Sequence, residues 1–268
     1  MKNILIKLGL TLCLLMTVIL GISVQSISAF SYSDPSQGLD LSAVAELFKD
    51  SNDLETFEKS LNSSDNGINN LDLNDDEKVD FIRVSEQSKD ETRLIVLQTP
   101  LGENDFQDVA TIAVERETSG NYNLQVQGNE TIYGANYYIV PANKNFSAWN
   151  IVRWIFTPNY RPYVSVYNYR ILPNWWNVRR PVTIAVYRTR TGIFANRRNF
   201  VASKTVTVKT LHKVNYTPRS SVLVVKKSKV VNTSNNGGKN TTIVKTKVTV
   251  DKTPNNSNRP KQPKKGKN

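Results

Sequence analysis

The chain has 268 residues, a formal net charge of +12, one cysteine and one histidine. Those two counts exclude a disulfide within one chain and a zinc site built from several histidines and cysteines. The net charge hides a segregation: residues 30–130 hold 22 acidic against 7 basic side chains, whereas residues 131–268 hold 1 against 26. Opposed halves of this kind point to an acidic ion-binding or partner-facing module joined to a basic arm that attracts anionic polymers or surfaces.

Residues 1–29 open with Lys2 and Lys7, continue through the apolar run Leu8 to Val24, and end in Ser26, Ile27, Ser28 and Ala29. Charged, apolar and small segments in that order predict a secretory signal peptide cleaved after Ser28 or Ala29, with an uncleaved anchor as the alternative. Cys13 follows Leu12 rather than a small residue, which argues against a lipoprotein. The expected mature chain has no thiol and no transmembrane span after signal cleavage, and it is exported to a periplasmic, outer-envelope or extracellular location.

From Asp40 the pattern is helical: Leu41, Val44, Leu47 and Phe48 recur at three- and four-residue spacing behind Asp40 as a cap. A second short helix carries Leu54, Phe57 and Leu61 on one face, with Asn52 and Glu55 as a weak start signal. The period then changes to two, predicting strands at Val79 to Glu86, Arg93 to Thr99, Val109 to Arg116 and Tyr122 to Gln127. Short polar turns between them favour an antiparallel meander, one face of which the helices can cover. The predicted fold class is α+β, with this acidic domain over residues 30–142.

Residues 143–216 differ in kind, because all four tryptophans fall there among tyrosines and arginines and prolines punctuate the run. The expectation is an aromatic, basic unit of short strands or irregular structure, with Val182 to Arg188 and Lys204 to Lys209 as candidate strands. Residues 217–268 form a basic tail rich in Lys, Asn and Thr. There Ser221 to Val231 and Thr241 to Val250 flank an Asn235-Asn236-Gly237-Gly238 turn and predict a hairpin guarded by lysines, with disorder beyond Thr253.

The most specific chemical motif runs from Asp72 to Asp80. Side chains at alternate positions of a tight loop can converge on a hard cation, which takes six to eight oxygens. The spacing of Asp72, Asn74 and Asp76 resembles the calcium loop of EF-hand and dockerin-type modules. That resemblance implies direct ligation by those three side chains, a backbone contribution from the Lys78 carbonyl, and Asp80 near the water-mediated position. Two positions depart from the pattern: Glu77 stands where the family has glycine, and Arg83 where it has a bidentate acid. The competing reading is an acidic turn leading into a strand, with Lys78 and Arg83 screening its charge.

The aromatic and arginine residues Trp149, Arg153, Trp154, Arg161, Tyr163, Arg170, Trp175, Trp176, Arg179 and Arg180 are the candidate ligand-binding set. Tyrosine, tryptophan and arginine build contact hot spots, and exposed rings stack on sugars, bases or guanidinium groups. The same residues can instead fill a small core with arginines on its rim. Expected partners are anionic envelope polymers, glycans or a protein, and no specific nucleic acid, since no recognised nucleic-acid module is visible.

Enzyme readings find little purchase. His212 lies in the basic region, where Asp251 is the only acid after Glu130; a general base there lacks an orienting carboxylate. A pair of acids serving glycoside hydrolysis is a remote alternative from the acid-rich block. The chain as a whole resembles uncharacterised secreted or envelope bacterial proteins that combine a signal peptide, an acidic loop (here Leu71 to Val84) and a proline-punctuated Trp, Tyr and Arg segment (here Trp149 to Arg188). The resemblance implies location and supplies no activity. Two functions are carried forward: a non-enzymatic exported protein with a calcium loop and a basic aromatic surface, and a structural or assembly protein whose acidic and basic halves associate within or between molecules.

Overall fold

The computed structural model describes residues 38–143, 146–221, 223–236 and 239–250, the last two stretches almost wholly as backbone. The signal segment and the tail beyond Thr253 lie outside the described residues. Helix α1 (Leu41–Asp50) starts where the Asp40 carboxylate accepts the Ser42 and Ala43 N–H groups at 2.8 and 3.3 Å. Helix α2 (Leu54–Asn62) is capped by Asp53, not by Asn52: its side chain accepts the Thr56 N–H at 2.7 Å. Phe48 of α1 meets Phe57 of α2 edge-on at 5.4 Å, and both are fully buried. Truncating either ring to alanine would cost about 3–5 kcal/mol.

Six strands follow in sequential antiparallel order: β1 (Arg83–Lys89), β2 (Thr92–Gly102), β3 (Asp105–Arg116), β4 (Tyr122–Gly128), β5 (Tyr138–Pro141) and β6 (Phe200–Ser203). The α+β class and the antiparallel sheet expected from the sequence are therefore present. Strand β1 begins later than the apolar pattern predicts. The N–H groups of Val79, Asp80 and Ile82 are taken by Arg179 O at 2.8 Å, Leu71 O at 2.7 Å and Asn62 Oδ1 at 2.9 Å, so none is left for a ladder.

One face of the sheet, with Val84, Ile95, Leu97, Ile112, Val114, Leu124, Val126 and Ile139, packs into the main core with α1, α2 and the short helix α4 (Asn150–Ile155). Another single-turn helix, α3 (Glu130–Tyr133), precedes β5. The other face is covered as well. Leu94, Val96 and Ala113 pack there against Val208 and Val214, so residues 207–216 lie across it as a strap. The unbroken run Leu94 to Leu97 is the sequence trace of burial on both faces.

The basic segment departs from expectation in two places. Val182 to Arg188, predicted as a strand, opens the helix α5 (Ile184–Ala195): Thr183 caps it, accepting from Val186 N at 3.3 Å, and Tyr187, Thr191 and Phe194 are buried at helical spacing. Lys204 to Lys209 is not a strand either, because the Thr207 N–H bonds the Gln125 side chain at 2.8 Å instead of a neighbouring backbone. The sixth strand is Phe200–Ser203, which pairs with β5. The compositional boundary at Ala142 thus falls inside one sheet and one core, and Phe146, Ile151, Phe194 and Phe200 belong to the same cluster as Leu41 and Phe57. Strands β7 (Val225–Asn236) and β8 (Lys239–Val250) pair antiparallel from Val225↔Val250 to Asn236↔Lys239. Among the described residues no helix is long and apolar enough to cross a membrane.

Candidate functional site

The acidic loop folds upon itself. The Asp72 carboxylate accepts the Asp76 N–H at 3.0 Å and the Glu77 N–H at 3.1 Å, and the Asp76 carboxylate accepts from Lys78 N at 3.0 Å. Asp75 and Glu77 sit at φ 62° and 64°, the left-handed conformation. Glu77, which departs from the calcium-loop pattern by residue type, adopts the backbone that glycine supplies there, at a cost of about 1–2 kcal/mol. Asp80 turns its carboxyl inward to accept the Leu73 N–H at 2.6 Å. Burial, with added repulsion from Asp72 and Asp76, pushes that carboxyl up to about 8. The Asp72 carboxyl is also raised, chiefly by burial.

Screening of the loop comes from elsewhere than Arg83. Lys78 lies 3.7 Å from Asp76 and Arg180 lies 3.2 Å from Glu77, both pairs well exposed and worth little. Arg83 instead donates to Ser165 O at 2.8 Å, and its guanidinium stands over the Phe106 ring. Among the described residues no three His, Cys, Asp or Glu side chains converge as a ready-made metal cage. The donor set for a hard cation is nevertheless of the right chemistry: Asp72, Asn74, Asp76 and Asp80 offer only oxygens, on a loop that already has the left-handed turns such coordination uses.

The candidate ligand-binding residues fall into groups rather than one patch. Trp149 is half-buried between Phe146 at 5.4 Å and Phe200 at 5.7 Å, and Trp154 packs edge-on to Tyr160 at 4.8 Å. Trp175 and Trp176 lie 6.1 and 5.3 Å from Phe81. Arg179 is held against them: it lies 4.8 Å over Trp176 and donates to Asn62 O at 3.4 Å and Asn69 O at 3.1 Å. Tyr163 reaches the Glu58 carboxyl at 3.5 Å. Arg153, Arg161 and Arg170 are exposed, and the Arg153 guanidinium donates to the neighbouring Asn150 side chain. Exposed Val164, Val166, Tyr169, Ile171, Leu172 and Val178 interleave with them.

Two buried carboxylates knit the acidic block to this segment, and nothing in the local sequence announced them. Glu58 accepts the Val84 N–H at 2.6 Å and the Ser165 hydroxyl at 3.0 Å; burial lifts it to about 7 against those hydrogen bonds. Glu86 accepts the Tyr160 hydroxyl, and burial raises it too. Both partners lie more than seventy positions away, beyond the reach of any periodicity argument.

The strap encloses a cleft of about 760 Å³ whose lining includes Thr111, Gln125, Gln127, Glu130, His212 and Tyr216. The sole histidine lines the same cleft as Glu130, but it is exposed and its Nδ1 pairs with Lys209 O at 2.8 Å. Deeper in, the Asp108 carboxylate accepts Gln98 Nε2 at 2.6 Å, the Tyr216 hydroxyl at 2.7 Å and Arg219 N at 2.8 Å, so it is a satisfied acceptor.

The molecule is thus an α+β protein with one sheet clasped on both faces, by helices on one side and by a strap on the other. No family model matches the chain, and neither does any curated protein or solved structure.

Proposed function

We propose that this is a non-catalytic exported protein of the cell envelope or extracellular space, which contacts anionic polymers or glycans through its basic aromatic segment. One observation carries the reading: among the described residues Arg153, Arg161, Arg170 and Arg188 are exposed and make no ion pair, despite the excess of acids in the preceding block. Uncompensated guanidinium groups beside half-buried rings and exposed aliphatic side chains favour an anionic, amphipathic surface as partner. The lysines of the tail add charge of the same sign. In the same reading Asp72, Asn74, Asp76, Asp80 and the Lys78 carbonyl hold calcium, which when bound neutralises clustered carboxylates and stiffens the loop.

The test is retention of the mature chain on a heparin column under a salt gradient, with the Arg153→Gln/Arg161→Gln/Arg170→Gln variant alongside. Earlier elution of the variant is expected, and identical elution overturns the reading. A second reading, assembly through the opposed halves, draws on the contacts of Arg197 with Glu46 and Asp50 and on the Glu77–Arg180 pair. It predicts a salt-sensitive oligomer of the full chain in sedimentation. A monomer at every salt concentration removes association between molecules.

A further inference from the structure

The strapped face of the sheet carries two arginines outside ion-pair distance of any carboxylate among the described residues, although the charges of Glu58 and Asp108 reach Arg83 and Arg219 respectively. Arg83 opens β1 and Arg219 lies on the return segment beside it, and each guanidinium carbon stands 5.1 Å from the ring centroid of Phe106. Among the described residues neither side chain forms an ion pair. Arg83 gives one N–H to the Ser165 carbonyl, while its Nε is buried without a partner. A buried donor left unpaired costs about 1–3 kcal/mol, more when it is charged.

Neighbouring carboxylates are engaged by other donors. Asp108 takes up Gln98, Tyr216 and the backbone N–H of Arg219. Glu86, which also lines the pocket, accepts from Tyr160, while its Oε1 has no hydrogen-bond partner and lies 3.8 Å from Arg93 Nε. Glu58 is held by Val84 N and the Ser165 hydroxyl. Its charge opposes the effects of burial and of Arg219, which together draw the Arg83 guanidinium below its usual range. The arginines also share a pocket of about 260 Å³, which Ser85, Gln98, Tyr216 and Thr217 help to line.

We propose that this pocket binds a single oxyanion group, a sulfate, phosphate or carboxylate, held between the guanidinium groups of Arg83 and Arg219. Planar guanidinium forks match oxyanion geometry in a way a lysine ammonium does not. The pocket is smaller than the roughly 300–1,000 Å³ of sites that enclose drug-sized ligands, so it takes one charged group and not the body of an oligosaccharide. Stacking on the Phe106 ring restrains both guanidinium groups. Neither arginine belongs to the surface assigned to polymer contact, so this site and that surface can fail separately.

Calorimetric titration of the mature chain with sodium sulfate, sodium phosphate and glucose 6-sulfate, at an ionic strength fixed with sodium chloride, tests the site. Saturable binding is expected for the wild type, weakened at least tenfold in Arg219→Gln, weakened less in Arg219→Lys, and unchanged in Lys89→Gln, a change at the exposed far end of β1. Arg219 is exposed and its backbone bonds to Asp108 do not depend on its side chain, so the fold survives the substitution; its melting curve verifies this. Tighter binding of the sugar ester than of inorganic sulfate identifies the occupant as a group on a larger molecule, and the reverse order identifies a free anion. No saturable binding by the wild type, or equal binding by Arg219→Gln, overturns the proposal.

Discussion

Glu58 on α2 and Ser165 in the aromatic segment are joined by a 3.0 Å hydrogen bond across 107 positions of sequence. The same carboxyl accepts the Val84 N–H at 2.6 Å, so one side chain ties helix, edge strand and basic segment together. The edge of β1 is closed beside it, where Ser165 N bonds Val84 O at 2.9 Å and Glu86 N bonds Tyr163 O at 2.7 Å. The acidic and basic halves therefore meet through enclosed polar contacts as well as through surface charge.

This carboxyl makes stability depend on pH. Burial raises Glu58 from 4.5 to about 7, so the folded state binds its proton more tightly than the unfolded state. The contribution is fully present below about 4.5 and is lost as pH rises through 7, a penalty of about 3 kcal/mol when complete. Glu58→Gln keeps a carbonyl for Val84 N and an amide for the Ser165 hydroxyl. Relative to wild type it should gain stability steadily between pH 4.5 and 8 in urea unfolding. Glu58→Leu, which orphans the Val84 N–H, should lose stability at every pH. A Gln variant that tracks wild type across the whole range would refute the assignment.

Much of the fold was legible because it rests on local rules. Asp40 before an apolar three-four repeat gave α1, and the alternation of Tyr122, Leu124 and Val126 gave β4. What stayed illegible depended on distant partners. Val182 to Arg188 alternates well enough for a strand, yet Thr183 as a cap and Tyr187 bonded to Ile68 O at 2.9 Å make it a helix. The strap was hidden for the same reason, since Gln125 binds it across 82 positions. In the acidic loop the spacing of Asp72, Asn74 and Asp76 was readable, but the left-handed turn at Glu77 was not, because glutamate rarely adopts it.

Calcium titration offers a sharper outcome than a heat of binding alone. Asp80 lies near 8 in the folded protein, so at pH 7 a cation that needs its carboxylate must displace a proton. Calorimetry at pH 7 in buffers of different ionisation enthalpy should show release of most of a proton per calcium, and much less in Asp80→Asn. Asp72→Ala should abolish binding, because Asp72 also organises the Asp76 and Glu77 amides. With Arg83 on the sheet instead of a twelfth-position acid, a dissociation constant of about 10⁻⁴ to 10⁻³ M is expected. Equal silence from all three proteins would remove calcium from the loop.

Gly128 closes β4 against the aromatic ring of Tyr133. A Cβ there would stand 2.6 Å from two ring carbons, closer than any packed contact allows. Tyr133 cannot withdraw freely, because its hydroxyl donates to Leu39 O at 2.9 Å and its ring stacks on Tyr137 at 5.4 Å. Gly128→Ala should therefore lower stability by about 1–3 kcal/mol in urea unfolding. In the double variant Gly128→Ala/Tyr133→Ala the alanine at 128 should cost almost nothing further, and additivity of the two losses would contradict the clash.

Tyr216 anchors the strap by donating to the Asp108 carboxylate at 2.7 Å, beside Gln98 and Arg219 N. Burial is the leading influence on Asp108 and raises it, while these three donors pull it down. Removing one of them by Tyr216→Phe should raise Asp108 further and cost about 1.5–3 kcal/mol near neutral pH, as for hydrogen bonds to a charged acceptor. The cost should shrink as pH falls through the raised range of the folded Asp108 carboxyl, where its protonation removes the charge that the hydroxyl serves. Asp108→Asn in the Tyr216→Phe background should recover part of the loss at pH 8, because the desolvated carboxylate is then gone. If the Phe variant loses the same stability at pH 4 and pH 8, Tyr216 acts through packing alone, and the polar anchor of the strap lies with Gln125 and Arg219.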